Sequence, residues 1–172
     1  MGEIRKPSAV KLFAGIMFRR DFDLGAALEP LAASCGGIER SYGPVDFSWS
    51  DYYNEEMGGG LLKYYAVFSE PADRDRLPQI KNQTNAIERQ FSRGGKRAVN
   101  IDPGYLAKDK LVLASTKDFY HRLYLGDGIF GEVTLHYRKG RFRFFSWTYP
   151  DYQEPEFLKF MEAARAASSI FF

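Results

Sequence analysis

The residues best suited to chemistry cluster in the second half of the chain. His121 and Glu132 offer an imidazole and a carboxylate, with Thr134 and His136 following at two-residue spacing. A histidine titrating near neutrality beside a carboxylate can serve as a general acid–base pair, or the two can hold a divalent metal. Asp118 is a second carboxylate close in sequence to His121. His121, Glu132 and Asp118 are therefore the candidate catalytic residues, and no set of metal ligands is assigned. Ser115-Thr116-Lys117-Asp118 adds hydroxyls and a cation, and Arg122 a second cation. Asn100 and Asp102 close another apolar run. Lys117 and Arg122 supply charge for an anionic ligand, with Asn100, Asp102 and Thr134 as polar partners. Acid–tyrosine pairings recur in two loops, Asp51-Tyr52-Tyr53 and Tyr149-Pro150-Asp151-Tyr152, and Tyr149 and Asp151 join the candidate ligand-binding set. Each group also has an ordinary reading: a half-exposed sheet face, an N-cap with an Asx-turn, and tyrosines that anchor loops.

These side chains meet only if the elements carrying them do. Asp127-Gly128 between two strand-like runs is a strong hairpin signal, and Lys139-Gly140 predicts a second tight turn. Strands are expected at Tyr120–Gly126, Ile129–Tyr137 and Arg141–Trp147. Strict alternation puts His121, Leu123, Leu125, Phe130, Glu132, Thr134 and His136 on one face, joined by Arg143, Phe145 and Trp147. Tyr124, Ile129, Val133, Leu135, Phe142 and Phe144 fall on the other, the expected core side. The register carries this grouping, since a slip of one residue would scatter it.

Upstream, VKLFAGIMF (10–18) reads as a buried strand. Asp23 caps a helix over 24–34 that Gly36-Gly37 ends, and Pro30 inside it predicts a kink or a later start. Strands follow at 38–42 and 61–68, separated by a polar loop over 47–60. A helix spans about 74–92 with Leu77, Ile80, Thr84, Ile87 and Phe91 on one stripe, stopped by Gly94-Gly95. A short strand at 98–101 runs into Asp102-Pro103-Gly104, read as a turn, and 105–114 as containing a short helix. A closing amphipathic helix covers 154–168.

The chain has 172 residues, 45% hydrophobic and 27% charged, with 15 Phe and 11 Tyr. These values fit a single α+β domain over 1–172, with a mainly antiparallel, aromatic-rich sheet and about three helices. A net charge of +2 provides no broad positive field, which argues against nucleic acid as the partner. Cys35 is the only cysteine, so no internal disulfide forms, and it reads as a core residue. The Val10–Phe18 run is interrupted by Lys11 and lacks a cleavage site, and no stretch reaches membrane-spanning length. A cytoplasmic location is the expectation.

Five strings in fixed order carry a family resemblance: KLFAGI near the start, SDYYNEEMG at 50–58, KRAVNIDPGYL at 96–106, STKDFYHRLYLGDGIFGEVTL at 115–135 and WTYPDY at 147–152. Together they resemble the domain-of-unknown-function 4416 family of bacteria and archaea, over nearly the whole chain. The resemblance implies no activity. Some members bear the name "GTP-binding protein", but no G-x-x-x-x-G-K-[ST] loop is present: Gly58–Lys63 leads into a strand, and Gly94-Gly95-Lys96 follows a helix.

The leading functional expectation is a binder of, or enzyme acting on, a small anionic molecule, with its pocket at the sheet edge. The alternative is an RNA- or protein-binding module using exposed aromatics and the basic 138–143 hairpin. No cofactor is read from the sequence, and no nucleophile signature of the triad type appears.

Overall fold

The first strand shows why the fold takes its form. In a computed structural model, which describes residues 2–172, all nine residues of β1 (Val10–Phe18) are buried. A strand buried at every position needs cover on both faces. Its even-numbered side chains pack under α1 (Leu24–Cys35) and α3 (Leu77–Gln90), through Leu31, Ile80 and Ile87. Phe13 packs on the opposite face, against Phe157 and Met161 of α4 (Pro155–Ala167). The fold class is α+β, with one mostly antiparallel sheet between helices.

The remaining strands are β2 (Ile38–Asp46), β3 (Leu62–Ala72), β4 (Ser92–Arg93), β5 (Lys96–Arg97), β6 (Val99–Leu106), β7 (Lys110–Ser115), β8 (Leu123–Gly126), β9 (Ile129–Arg138) and β10 (Arg141–Phe144). Seven of them join β1 in a single eight-stranded sheet in the order β10-β9-β7-β6-β1-β3-β2, with β8 also pairing on β9. β4 and β5 form a separate small hairpin. A one-turn helix, α2 (Asn54–Met57), interrupts the loop after β2, and short 3₁₀ turns lie at Arg74–Arg76, Pro150–Gln153 and Ser169–Phe171.

Several expectations hold and several are corrected. Asp23 caps α1 by accepting from the Gly25 amide, but α1 continues through Pro30 to Cys35. Gly94-Gly95 does not stop α3, which ends at Gln90; it forms the β4–β5 turn. Both tight turns exist, with Asp127 and Lys139 at φ 53°, each followed by a glycine at positive φ, as hairpins of this twist require. The 120–126 strand is shorter than expected, starting at Leu123, and β10 ends at Phe144.

Asp102-Pro103-Gly104 is not a turn, and 105–114 contains no helix. The tripeptide lies inside β6, and a hairpin leads from it into β7. Proline still punctuates, by another route. The β6–β7 ladder runs only over Gly104–Leu106 and Leu111–Leu113. Ala107 donates toward β7, so alternate residues back along β6 turn the same edge that way. Pro103 is the position where that edge needs an N–H and has none, and there the ladder stops. Beyond it β6 and β7 diverge, and the sheet is split.

Candidate functional site

The split is filled from behind by α3. Ile101, the next β6 residue facing the opening, would leave a buried N–H and C=O without strand partners. Glu88 accepts from the Ile101 amide at 2.7 Å, and Lys81 donates to the Ile101 carbonyl at 2.9 Å. Two charged side chains thus replace a stretch of ladder. Both are buried, on the same helix stripe as Leu77, Ile80 and Thr84.

Above this seam lies a cavity of about 510 Å³. Its floor is formed by side chains of β1, β3, β6 and β7 that α4 does not reach: Met17, Lys63, Asn100, Asp102 and Leu113. Tyr52 and Tyr53 from the loop after β2 form one wall, and Tyr149, Asp151 and Tyr152 another. Ser115, Lys117, Arg122 and Glu132 close the far side. The cavity sits in the split between β6 and β7. It is not at the sheet edge, where strand counting alone puts it.

Four cations, each paired with a carboxylate, converge here. Lys63 faces Asp151 at 3.3 Å, and the Tyr65 hydroxyl donates to the same carboxylate oxygen. The Lys63 ammonium also lies 5.3 Å from the centre of the Tyr152 ring. Lys81 faces Asp102 at 3.5 Å, whose other oxygen accepts from the Asn100 amide at 2.9 Å. Arg97 forks onto both oxygens of Glu56 at 2.5 and 2.9 Å, and bonds Glu88 and Asn100 at 2.8 Å. Arg122 and His121 both bond one oxygen of Glu132, at 3.0 and 2.8 Å, and the Thr134 hydroxyl bonds the other at 3.3 Å.

The electrostatics follow from these contacts. Bonding to Arg97 holds the Glu56 carboxyl below its usual range, while burial pushes Glu88 up against the pull of Lys81 and Arg97. Burial first, and then Asp102, raises the Tyr53 phenol well above its ordinary value. Lys117 differs from the other cations of the cavity: it is exposed and reaches only the Tyr52 hydroxyl, at 3.3 Å. Asp102, about a third exposed, is far more open than Glu88, Glu132 or Asp151.

Of the residues singled out in the sequence, Asn100, Asp102, Lys117, Arg122, Glu132, Tyr149 and Asp151 line this one cavity. His121 and Thr134 do not line it; they stand behind Glu132 and fix its carboxylate. The His121 ring stacks on Trp147, 5.1 Å between centres and 13° from parallel, and its Nδ1 is buried without a partner. Asp118 is exposed in the loop before β8 and does not reach the cavity.

The face assignment is corrected as well. Val133, Tyr124 and Phe144 are exposed rather than in the core, and Glu132 and Thr134 are buried. Register shifts near Leu125 and opposite Leu111/Val112 break the alternation that the reading assumed. His121 meets Glu132 through a turn closed by Arg122 N–H to Phe119 C=O, not through the ladder. Lys63, Lys81, Glu88 and Arg97 were not anticipated. Two of them carried a signal, because Lys81 and Glu88 lie seven residues apart on the apolar stripe of a helix.

Among the described residues no group of three or more His, Cys, Asp or Glu is placed to hold a metal ion. Cys35 is buried and its thiol is pushed up to about 11, as suits a core residue. No described helix is long and apolar enough to cross a membrane.

The family model described as Domain of unknown function (DUF4416) matches residues 8–167. The chain belongs to this family. The match spans β1 to α4 and so contains every residue of the cavity. No curated protein and no solved structure matches the chain.

Proposed function

We propose that this protein binds a small polar molecule in the split of its sheet, with an anionic group of the ligand turned toward Lys117 and Arg122. One observation carries the reading: four buried or half-buried cations, each paired with a carboxylate, converge on a single cavity. Buried pairs seldom stabilise a fold more than apolar residues of equal volume would. A protein that keeps Lys63, Lys81, Arg97, Arg122 and their acids around one hollow retains them at some cost in stability. Recognition of a charged ligand is the use that fits.

The roles follow from exposure and partners. Lys117, the cation without a carboxylate, is the first contact for an anion. Asp102 is the carboxylate a ligand donor reaches. Glu132 is a fixed acceptor whose orientation His121, Arg122 and Thr134 maintain. Tyr52, Tyr53 and Tyr149 offer ring faces to an apolar or planar part of the ligand.

Thermal denaturation in the presence of small phosphates, nucleotides, and di- and tricarboxylates tests the reading. A true ligand at a hundred times its Kd stabilises by about 2.7 kcal/mol. Lys117→Ala and Asp102→Asn should each reduce that shift while leaving the unliganded melting temperature near wild type. A shift that both variants retain in full, or no shift across the whole set, would count against the cavity.

A further inference from the structure

The β9–β10 hairpin carries an electrostatic arrangement that the cavity does not use. In its register Arg141 lies directly opposite Arg138. Like charges directly opposed across two strands destabilise a sheet. Among the described residues none of Arg138, Lys139, Arg141 and Arg143 makes an ion pair, whereas most cations of the cavity do. Glu162 of α4, an acid lining the adjoining groove, has one oxygen occupied by the Phe142 amide at 3.1 Å. The Arg143 Nε is buried with no hydrogen-bond partner among the described residues. These four side chains exceed the net charge of the whole protein, which is +2.

They surround a groove of about 730 Å³ between the hairpin and the first turns of α4, with Lys159 on its far wall. Phe144, half exposed, lines the same groove from the other face of β10, the strand at the sheet's edge.

We propose that this groove binds single-stranded nucleic acid, with the four cations on the phosphates and Phe144 beneath a base. Three of the four are arginines, whose forked donors match phosphate oxygens. Arg141 and Arg143 are two residues apart on one strand, so they stand about 6.8 Å apart on the same side, a spacing at which each can address its own phosphate. An exposed aromatic ring beside a cationic track is how proteins hold strands without reading their sequence. The slot is concave and bounded by α4, which a strand can enter and a flat bilayer cannot. Acidic peptides would use the charge but have no base to stack on Phe144.

The test is fluorescence anisotropy of a labelled twelve-nucleotide oligouridylate at 50 and 200 mM KCl. Contact with three phosphates gives a slope of about −2 in log affinity against log salt, so the fourfold increase should weaken binding about twentyfold. The double variant R141A/R143A should lose most of the affinity, yet melt no lower than wild type because it relieves the opposed charges. F144A should weaken binding by about fivefold or more. Lys117→Ala should bind the oligonucleotide as wild type does, which keeps this site distinct from the cavity. Absence of binding at 50 mM KCl, or equal binding by R141A/R143A, overturns the proposal. So does affinity that F144A leaves unchanged and that polyphosphate, an acidic peptide or anionic vesicles match, since the groove would then recognise charge alone.

Discussion

Gly15 and Tyr152 fit tightly together beside the cavity. Gly15 sits mid-strand in β1, paired with Tyr65 on one side and Asp102 on the other. A Cβ there would lie 2.2 Å from the Tyr152 hydroxyl. Tyr152 is 2% exposed, held among Phe13, Tyr65 and Phe157, so its ring cannot swing away. Gly15→Ala should therefore cost about 2 kcal/mol by overpacking, measured by urea denaturation. Among the described residues the Tyr152 hydroxyl has no hydrogen-bond partner. Tyr152→Phe should stabilise by about 1 kcal/mol, since it removes a buried unsatisfied group. The double variant should recover part of the glycine loss, and a strictly additive double variant would refute the steric account. Glu56 gives a pH-dependent counterpart. Its folded pKa lies below its ordinary 4.5, so the Arg97 contact stabilises fully above that value and is lost as pH falls through the folded pKa. Glu56 is a third exposed, which limits the effect to about 1 kcal/mol or less. Between pH 7 and pH 3 the wild type should lose more stability than Glu56→Gln does.

At the scale of elements, the β6–β7 junction governs the site. Gly104 lies opposite Leu113, and a Cβ there would stand 2.2 Å from the Val112 carbonyl oxygen, a backbone atom. Gly104→Ala should cost about 3 kcal/mol, visible as a lower urea midpoint, because the strands must separate to admit it. The same junction shows what a sequence discloses. Asp-Gly and Lys-Gly turns were legible because they demand a positive φ that few residues adopt. Asp-Pro-Gly was misread because proline can end a ladder as well as begin a turn, and only the strand alongside distinguishes the two. The bulges of β8 and β9 had no local mark, so the side chains of Tyr124 and Val133 were given the wrong face, while Phe144 keeps the face of Phe142 and is exposed because β10 ends there. Asn100, Asp102 and Lys117 were legible as polar groups at strand ends, and Arg122 and Glu132 as charged groups on the hairpin around Asp127-Gly128. Lys63 was not, because a lysine alternating within an apolar strand resembles a surface residue until its partner is placed.

At the scale of the molecule, Cys35 reports on the integrity of the α1–α3 layer. It lies 4% exposed among Ala27, Leu31 and Phe68. With its thiol pushed up to about 11, it should resist a thiol reagent at pH 8 in the native protein and react fully in urea. Labelling that follows the urea transition indicates one cooperative unit, and labelling well before it indicates that the helical layer opens separately. Charge is distributed unevenly at this scale. The cavity balances its cations with acids, while the β9–β10 hairpin leaves its own unbalanced, so salt should affect the two regions differently.

The seam closed by Glu88 and Lys81 gives the molecule a built-in reporter. An amide held by a strand neighbour changes only when the sheet does, but the Ile101 amide is held by a carboxylate that lines the cavity. Its proton resonance should lie downfield, as charge-assisted bonds place it, and should shift whenever a guest in the hollow draws on Glu88 or Arg97. A single backbone cross-peak would then register occupancy from inside the sheet, before any ligand has been identified.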